Sequence, residues 1–265
     1  MTGAFLKLTV LGSGTSTGVP VLGCHCAVCS SADPRNNRTR CSALLEWSDH
    51  KILIDTATDF RQQALREGIE QVDSVLYTHA HADHVHGIDD LRTFTLKTGK
   101  AIPVYAARDV LDRIQGLFSY VFSESGTPGY RPRLQVNEVT GPFELFGQRV
   151  TPLPLLHGSG ESLGYRVGNL AYMVDCSAIP QSSWALLEGL DVLVIDALRF
   201  REHESHFSIS GAIEVARQLR VPKTLLTHLT HDVDYPRHSE ELPEGIEFAY
   251  DGQTLTLPLS GSSKR

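Results

Sequence analysis

The sequence predicts one domain of mixed α and β structure, and three features of the chain support this fold class. Short apolar strands alternate with segments whose apolar residues recur at helical spacing. No linker rich in Pro, Gly or Ser separates two cores, and no internal repeat is visible. The 265 residues, 41% hydrophobic and 21% charged, are enough to bury one shared core. We therefore expect residues 1–265 to form a single domain.

The amino-terminal half begins with strands and continues as alternating helices and strands. Phe5–Leu11 alternates and ends at a glycine, while Ser42–Trp47 and Lys51–Asp55 flank a short polar turn, which predicts a hairpin. Helical spacing before a glycine predicts a helix at Asp59–Glu67. Val72–Tyr77 is apolar and β-rich, so it predicts a buried strand. Three elements follow in order: helix Leu91–Thr98, strand Ile102–Tyr105 and helix Arg108–Phe118.

The carboxyl-terminal half contains a surface loop and then mainly strands. Ser123–Arg133 includes "SGTPGYRP" and predicts the loop, and residues 134–155 predict three short strands. Leu163–Val167 and Leu170–Val174 flank the pair Gly168–Asn169, a two-residue connection typical of a hairpin. The remaining elements are strand Val192–Asp196, amphipathic helix Ile209–Leu219, strand Lys223–Thr227 and two strands within Gly245–Leu257.

Residues 12–40 form a long predicted loop rich in Gly, Ser, Asn and Pro. Loops of this length are usually functional or held by a metal ion. The loop begins with "VLGSGTSTGVP", but the dinucleotide fingerprint needs a sixth-position glycine where Thr17 stands, and no helix follows. We therefore expect a tight turn near an active site and no nucleotide cofactor.

Charge and hydropathy exclude several classes of function. A formal net charge of −7 gives no overall positive field, which argues against a polynucleotide partner. No apolar run approaches a membrane span, and "MTGAFLKLTVLGSG" is interrupted too early for a secretory segment. Five cysteines, three of them clustered, fit a metal site in a reducing compartment better than a disulfide framework. We therefore expect a cytoplasmic protein without a membrane anchor.

The strongest chemical signal is "LYTHAHADHVHG", directly after the strand predicted at Val72–Tyr77. Alternate residues at a strand end project to one side, so His79 and His81 can bind one metal ion. Asp83 and His84 begin a turn and can face a second ion. Imidazole and carboxylate ligands together suit Zn, Mn or Fe. Four such residues within six make a chance cluster of solvated histidines a poor explanation.

This motif has the form His-x-His-x-Asp-His, and the sequence resembles the metallo-β-lactamase superfamily, which has that signature. Three further residues at predicted strand ends recur in the family's order: His157 in "PLPLLHGS", Asp175 in "YMVDCS" and His228 in "LLTHLTH". The resemblance implies a four-layer αββα sandwich with the site at one edge. It also implies two ligand groups joined by a carboxylate: His79, His81 and His157 for one ion, Asp83, His84 and His228 for the other, and Asp175 as the bridge.

A pair of ions held in this way has a defined chemistry. Two divalent ions about 3.5–4 Å apart hold a bridging hydroxide and the substrate's oxygens, and a bound water then has a pKa of about 7. The ligand set of carboxylates and neutral imidazoles leaves the pair of ions positively charged, which favours a small anionic substrate. We therefore expect a hydrolase with two Zn or Mn ions that attacks a phosphodiester through the bridging hydroxide, with Asp83 among its catalytic residues.

Two further motifs resemble one family within the superfamily, the phosphodiesterases of the carbon–phosphorus lyase pathway (PhnP). They are "CHCAVC" in the long loop and "HESHFSIS" before a predicted helix. The resemblance implies hydrolysis of small cyclic phosphodiesters such as phosphoribosyl cyclic phosphate. It also implies that His206 assists the leaving group, as a general acid or by binding phosphate, although such a residue is ordinarily only a local hydrogen-bonding group at a helix start. His203 and His86 match no role and are expected at the surface or behind the ligands.

Three alternatives from the same fold remain open. Transfer-RNA 3′-processing nucleases share the metal site but carry a protruding basic arm, for which we find no insert. Thioester hydrolases of the glyoxalase II type lack the cysteine cluster. The non-enzymatic pyrroloquinoline quinone biosynthesis protein B carries C-x-C-x-x-C, but it has lost the histidine motif that this chain keeps. A homodimer is one assembly compatible with the sequence.

The cysteine motif offers three of the four ligands that a tetrahedral structural zinc requires: Cys24, Cys26 and Cys29. Cys41 is the nearest other sulfur, but it begins a predicted strand that fixes its direction. His231 lies three residues after His228, in a loop expected at the same edge as the cysteine loop. The resembling phosphodiesterases pair a cysteine knuckle with this second histidine. We therefore predict that His231 completes a structural zinc site, which holds residues 12–40 against the active site. The alternative is that Cys24, Cys26 and Cys29 are three free thiols.

Overall fold

Two seven-stranded β-sheets face each other in the computed structural model, which describes residues 5–123 and 129–259. The strands are β1 Phe5–Gly12, β2 Ser42–Trp47, β3 His50–Ile54, β4 Ser74–Leu76, β5 Ile102–Ala106, β6 Leu134–Glu138, β7 Phe143–Leu145, β8 Gln148–His157, β9 Gly160–Val167, β10 Leu170–Met173, β11 Val192–Asp196, β12 Lys223–Thr227, β13 Ile246–Phe248 and β14 Thr254–Pro258. The first sheet has the order β14-β1-β2-β3-β4-β5-β6, and the second has the order β13-β12-β11-β10-β9-β8-β7.

Helices cover the outer surface of each sheet. They are α1 Phe60–Arg66, α2 Ala82–Val85, α3 Leu91–Thr98, α4 Arg108–Leu117, α5 Ser119–Phe122, α6 Gln181–Trp184, α7 Ile209–Leu219 and α8 Tyr235–Ser239. Short 3₁₀ turns occur at Pro34–Asn36, His86–Asp90 and Ala185–Leu187. No helix among the described residues has the length and apolar character needed to cross a membrane.

The alternation of side chains along each strand separates the core into three apolar layers. Leu8 and Leu45 of the first sheet belong to the same buried cluster as Tyr165 and Val194 of the second, so this cluster lies between the sheets. The opposite face of the first sheet packs with α1, α3 and α4, and that of the second packs with α7. The four-layer αββα sandwich implied by the resemblance is therefore confirmed.

Most predicted elements form within two residues of their expected limits. The first hairpin turns at Ser48 and Asp49, whose φ angles of 48° and 68° match a type I′ connection. Residues 134–155 contain three strands, of which β8 continues as far as His157. Four-residue helices such as α2 were not predicted, because one turn is too short to show helical periodicity. Of the predicted loop Ser123–Arg133, residues 124–128 lie outside the described residues.

The sheet order brings several strand ends to one edge of the sandwich. β3, β4 and β5 run parallel in the first sheet, and β10, β11 and β12 run parallel in the second. The long loop crosses this edge, since Thr15 N donates to Leu229 O at 3.2 Å and Leu229 N donates to Ser13 O at 2.9 Å. Side chains that follow these strands therefore meet beside the loop, as the carboxyl ends of parallel strands generally form binding sites.

Candidate metal centre

Seven of the residues singled out in the sequence converge at this edge as two clusters that share one carboxylate. Within each cluster, one ligand atom of every residue lies within 4.8 Å of the others. The first cluster is His79, His81, His157 and Asp175; the second is Asp83, His84, His228 and Asp175. Each cluster contains the types of side chain that bind divalent transition metals.

Asp175 directs its two carboxylate oxygens toward different clusters. Its Oδ2 lies 3.6 Å from Nε2 of His79 and 3.8 Å from Nε2 of His157. Its Oδ1 lies 3.4 Å from Nε2 of His84 and 3.2 Å from Nε2 of His228. Asp175 follows β10 between the two groups of histidines, and its geometry is that of a carboxylate able to bridge two cations.

The ligand atoms of the two clusters fit metal ions by two criteria. Several are buried without a hydrogen-bond partner among the described residues: Nε2 of His79, His84 and His228, and Oδ1 of Asp175. Buried polar atoms without partners are costly, so their convergence favours a bound cation. Ligands about 2.0–2.1 Å from a tetrahedral ion would also be about 3.4 Å apart, close to the separations around Asp175.

The other nitrogen of three ligand imidazoles is fixed by a neighbouring group. Nδ1 of His157 lies 2.7 Å from the carbonyl of Ser205, so it donates and leaves Nε2 with a free lone pair. Nδ1 of His84 lies 2.7 Å from Asp55 Oδ2, and Nδ1 of His79 lies 3.0 Å from Thr78 Oγ1. Such partners orient ligand rings and select the tautomer that binds metal.

The protonation properties of the two clusters differ. Burial lowers the pKa of the three histidines of the first cluster, which favours the neutral rings that metal binding requires: His79, His81 and His157. In the second cluster burial opposes the charge of His84, but Asp175 and Asp55 raise its pKa well above the usual range. Carboxylates therefore crowd this cluster and favour a positive charge, which a divalent cation would supply.

His206 stands beside the second cluster and forms a pair with a buried aspartate. Its Nδ1 donates to Oδ2 of Asp196 at 2.6 Å, and its ring stacks on that of His228 with centroids 4.6 Å apart. The ring of His157 lies 4.9 Å from it on another side. Because Asp196 engages Nδ1, Nε2 is the nitrogen of His206 that remains for a substrate.

Two functional candidates, Asp55 and Asp196, were missed in the sequence. Each side chain is fully buried and hydrogen-bonded to a histidine of the site. Each ends or follows an apolar strand, in "ILID" and "VLVID", just as Asp175 follows "YMV". An aspartate directly after an apolar run is therefore a signal that could have identified both.

The remaining histidines near the site belong to neither cluster. His203 Nδ1 lies 3.1 Å from Ser205 Oγ, and its ring centroid is 5.3 Å from that of His206. His86 packs edge-on against Phe118. Both positions agree with the expectation of surface or supporting residues.

A third cluster contains three cysteines of the long loop and one histidine. Nδ1 of His231 lies 3.4 Å from Sγ of Cys24, 3.6 Å from Sγ of Cys26 and 3.4 Å from Sγ of Cys29. A tetrahedral zinc with Zn–S about 2.3 Å and Zn–N about 2.0–2.1 Å places sulfur and nitrogen about 3.6 Å apart, so these atoms fit zinc. Cys41 is elsewhere, fully buried with Sγ 3.5 Å from Thr227 Oγ1.

The four-layer sandwich with His/Asp clusters at its strand ends defines a class of protein, the hydrolases of the metallo-β-lactamase fold, whose members use divalent metals. The family model described as the beta-lactamase superfamily domain matches residues 50–229. The chain belongs to the beta-lactamase superfamily.

Individual relatives differ in their named activities. A protein of Porphyromonas gingivalis (strain ATCC BAA-308 / W83) named octanoyltransferase is 43% identical over 97% of this chain, which spans only 52% of that protein's length. Ribonuclease Z of Methanopyrus kandleri is 30% identical, with 80% of this chain and 88% of that protein covered. The crystal structure of "a New Diphosphatase from the PhnP Family" has a TM-score of 0.91 and 41% identity, covering 96% of this chain and 98% of that one.

Proposed function

We propose that this protein is a binuclear metal-dependent phosphodiesterase that acts on small, cyclic phosphodiesters such as phosphoribosyl cyclic phosphate. The observation that carries the proposal is Asp175, whose two oxygens face separate groups of histidines at 3.2–3.8 Å. Two cations joined by one carboxylate suit in-line displacement at phosphorus. The 41% identity to a PhnP-family diphosphatase supports a small phosphorylated substrate.

The protein's own residues hold the reacting groups in place. His79, His81 and His157 would bind one ion, and Asp83, His84 and His228 would bind the other. When bound, these ions supply a water of lowered pKa and neutralise charge on the phosphoryl oxygens. His206 is oriented by Asp196 and lies beside the ring of His228. As the imidazolium, with its Nδ1 proton held by Asp196, it would donate its Nε2 proton or a hydrogen bond to the departing oxygen.

We assign a structural zinc ion to Cys24, Cys26, Cys29 and His231. Its role is to fasten the loop of residues 12–40 to the segment that follows β12, which carries His228. The same loop is also held by the buried guanidinium of Arg38, which donates to the carbonyls of Thr230 at 3.1 Å and Val233 at 2.8 Å. These two carbonyls flank His231, so the protein orients this ligand from both sides.

RNA 3′-end processing is the second candidate, because ribonuclease Z of Methanopyrus kandleri is 30% identical to this chain. The net charge of −7 argues against it, since polynucleotide binding depends on neutralising phosphates with basic side chains. Cytoplasmic localisation and a homodimeric state stay predictions.

Metal analysis combined with a substrate panel tests the proposal. We expect metal-dependent hydrolysis of bis(p-nitrophenyl) phosphate and of a cyclic phosphodiester, abolished by chelation and restored by Zn or Mn. A precursor tRNA and a glutathione thioester should be hydrolysed slowly or not at all. Activity that survives complete removal of the metals would refute a metal phosphodiesterase, and preferential cleavage of the tRNA or the thioester would establish the corresponding alternative.

A further inference from the structure

A cavity of about 340 Å³ opens directly beside the first cluster. Imidazoles of His81 and His157 form its inner wall. Its outer wall comes from two places. The first two turns of α4 provide Asp109 and Arg113, and the start of the β8–β9 hairpin's second strand provides Glu161, with Ser159 in the turn before it. A phosphodiester held at the ligand clusters would therefore extend its remaining part into this space.

The four polar side chains of the outer wall have no side-chain partner in the part of the chain that the structure describes. Within residues 5–123 and 129–259, neither a hydrogen bond nor an ion pair is made by the side chains of Asp109, Arg113, Ser159 and Glu161. The neighbouring arginine of α4 behaves differently, since Arg108 Nη2 pairs with Asp112 Oδ1 at 2.8 Å. Free donors and acceptors around a cavity next to a reaction centre are what a polar substrate group requires.

The outer wall has fewer positive than negative side chains, and the two kinds bind different substrate groups. Among the described residues of the lining, Arg113 is the one permanent cation, while Asp109 and Glu161 are carboxylates. A guanidinium binds phosphate or carboxylate groups through paired N–H donors, whereas carboxylates accept hydrogen bonds from hydroxyl groups and repel anions. An anionic group is therefore favoured near Arg113 and opposed near Glu161.

We propose that Arg113 is a specificity-determining residue that binds a second anionic group, a phosphate or a carboxylate, carried by the substrate outside its scissile phosphodiester. This inference rests on the proposed function, because it takes the scissile group to lie at the two ligand clusters. Glu161 has the opposite effect and lowers the affinity for the same group. The preference for doubly anionic substrates is thus set by the balance of two side chains on separate elements.

The test compares adenosine 2′,3′-cyclic phosphate with the same molecule carrying a 5′-phosphate. We compare the kcat/KM for the 5′-phosphorylated substrate with the kcat/KM for the unphosphorylated one. Arg113→Gln should lower the ratio of these two values by about 10-fold, which is the lower end of the range of effects for a charge-assisted hydrogen bond. Glu161→Gln should raise the same ratio by about 2- to 5-fold, because it removes a like charge. Arg108→Gln is the matched control and should leave the ratio unchanged.

Equal losses on both substrates in Arg113→Gln, or an unchanged ratio, would overturn the inference. Failure of the wild-type enzyme to cleave any phosphodiester would instead refute the proposed function. The role of Arg113 would then be tested by measuring the affinity of the protein for sugar phosphates. In calorimetric titrations, Arg113→Gln should lower the protein's affinity for ribose 1,5-bisphosphate about 10-fold more than its affinity for ribose 5-phosphate. Equal affinities of the variant and the wild-type protein for the bisphosphate would overturn the inference independently of turnover.

Discussion

Replacing His231 with Ala should release one tightly held zinc ion from the protein. The three Sγ atoms of the cysteine motif lie 3.4–3.6 Å from Nδ1 of His231, which is the spacing expected across a tetrahedral zinc. The substitution removes the one nitrogen ligand and leaves three thiols, of which Cys26 is exposed to solvent. Water would have to complete the coordination.

The size of the effect follows from the ligand count. Zinc binds to structural sites with a free energy of about 10–16 kcal/mol. If the four ligands contribute equally, each contributes about 2.5–4 kcal/mol. That share corresponds to a loss of affinity of roughly 10²–10³-fold. The fold should persist, because Thr15 and Ser13 still hydrogen-bond to Leu229 and Arg38 still binds the carbonyls on both sides of residue 231.

The assay measures zinc per chain by elemental analysis after dialysis against a competing chelator. The wild-type protein should retain one zinc after the two active-site ions have exchanged, and His231→Ala should lose it. Cys41→Ser is the control, because Cys41 is fully buried elsewhere and its Sγ contacts Thr227. Zinc retained in the His231 variant and lost in the Cys41 variant would show that the ligand assignment is wrong.

Three further predictions concern the active site. Asp83→Ala should reduce the metal content by about one ion per chain and the activity by at least about 100-fold, and the melting temperature should change little. Full activity at reduced metal content would contradict the role of Asp83 as a ligand. His206→Ala should lower kcat about 10²–10⁴-fold for a poor leaving group and much less for p-nitrophenolate, which leaves without a proton; equal losses would favour a binding role. Asp196→Asn should lower kcat about 10–100-fold with unchanged metal content, because the 2.6 Å bond that orients His206 is altered. Adding Asp196→Asn to His206→Ala should cost little more, since the pair acts as a unit, and fully additive losses would refute that coupling.

The strand and helix pattern was largely accessible from the sequence because it depends on local periodicity. Phe5–Leu11 and Ile209–Leu219, for example, show the alternation and the helical spacing that their burial requires. The short helix α2, which carries Asp83 and His84, could not be predicted from the sequence, because a single helical turn is too short to show a periodic pattern. The four-layer arrangement followed from the family signature and not from the elements themselves, since element order alone does not say which sheet faces which.

The residues with metal-binding chemistry could be identified from the sequence alone, because the spacing of His-x-His-x-Asp-His and C-x-C-x-x-C extends over only a few residues. Which distant residues come together, in contrast, depends on the fold. Asp55 and Asp196 look like ordinary strand-end aspartates until the sheet order places them beside His84 and His206. Arg113 lies on a helix with no recognisable motif, and it lines the same cavity as His81 and His157 only because the fold places α4 beside them. Ligand types are a local property of the chain, whereas partners and cavities depend on contacts between segments that the sequence separates by tens of residues.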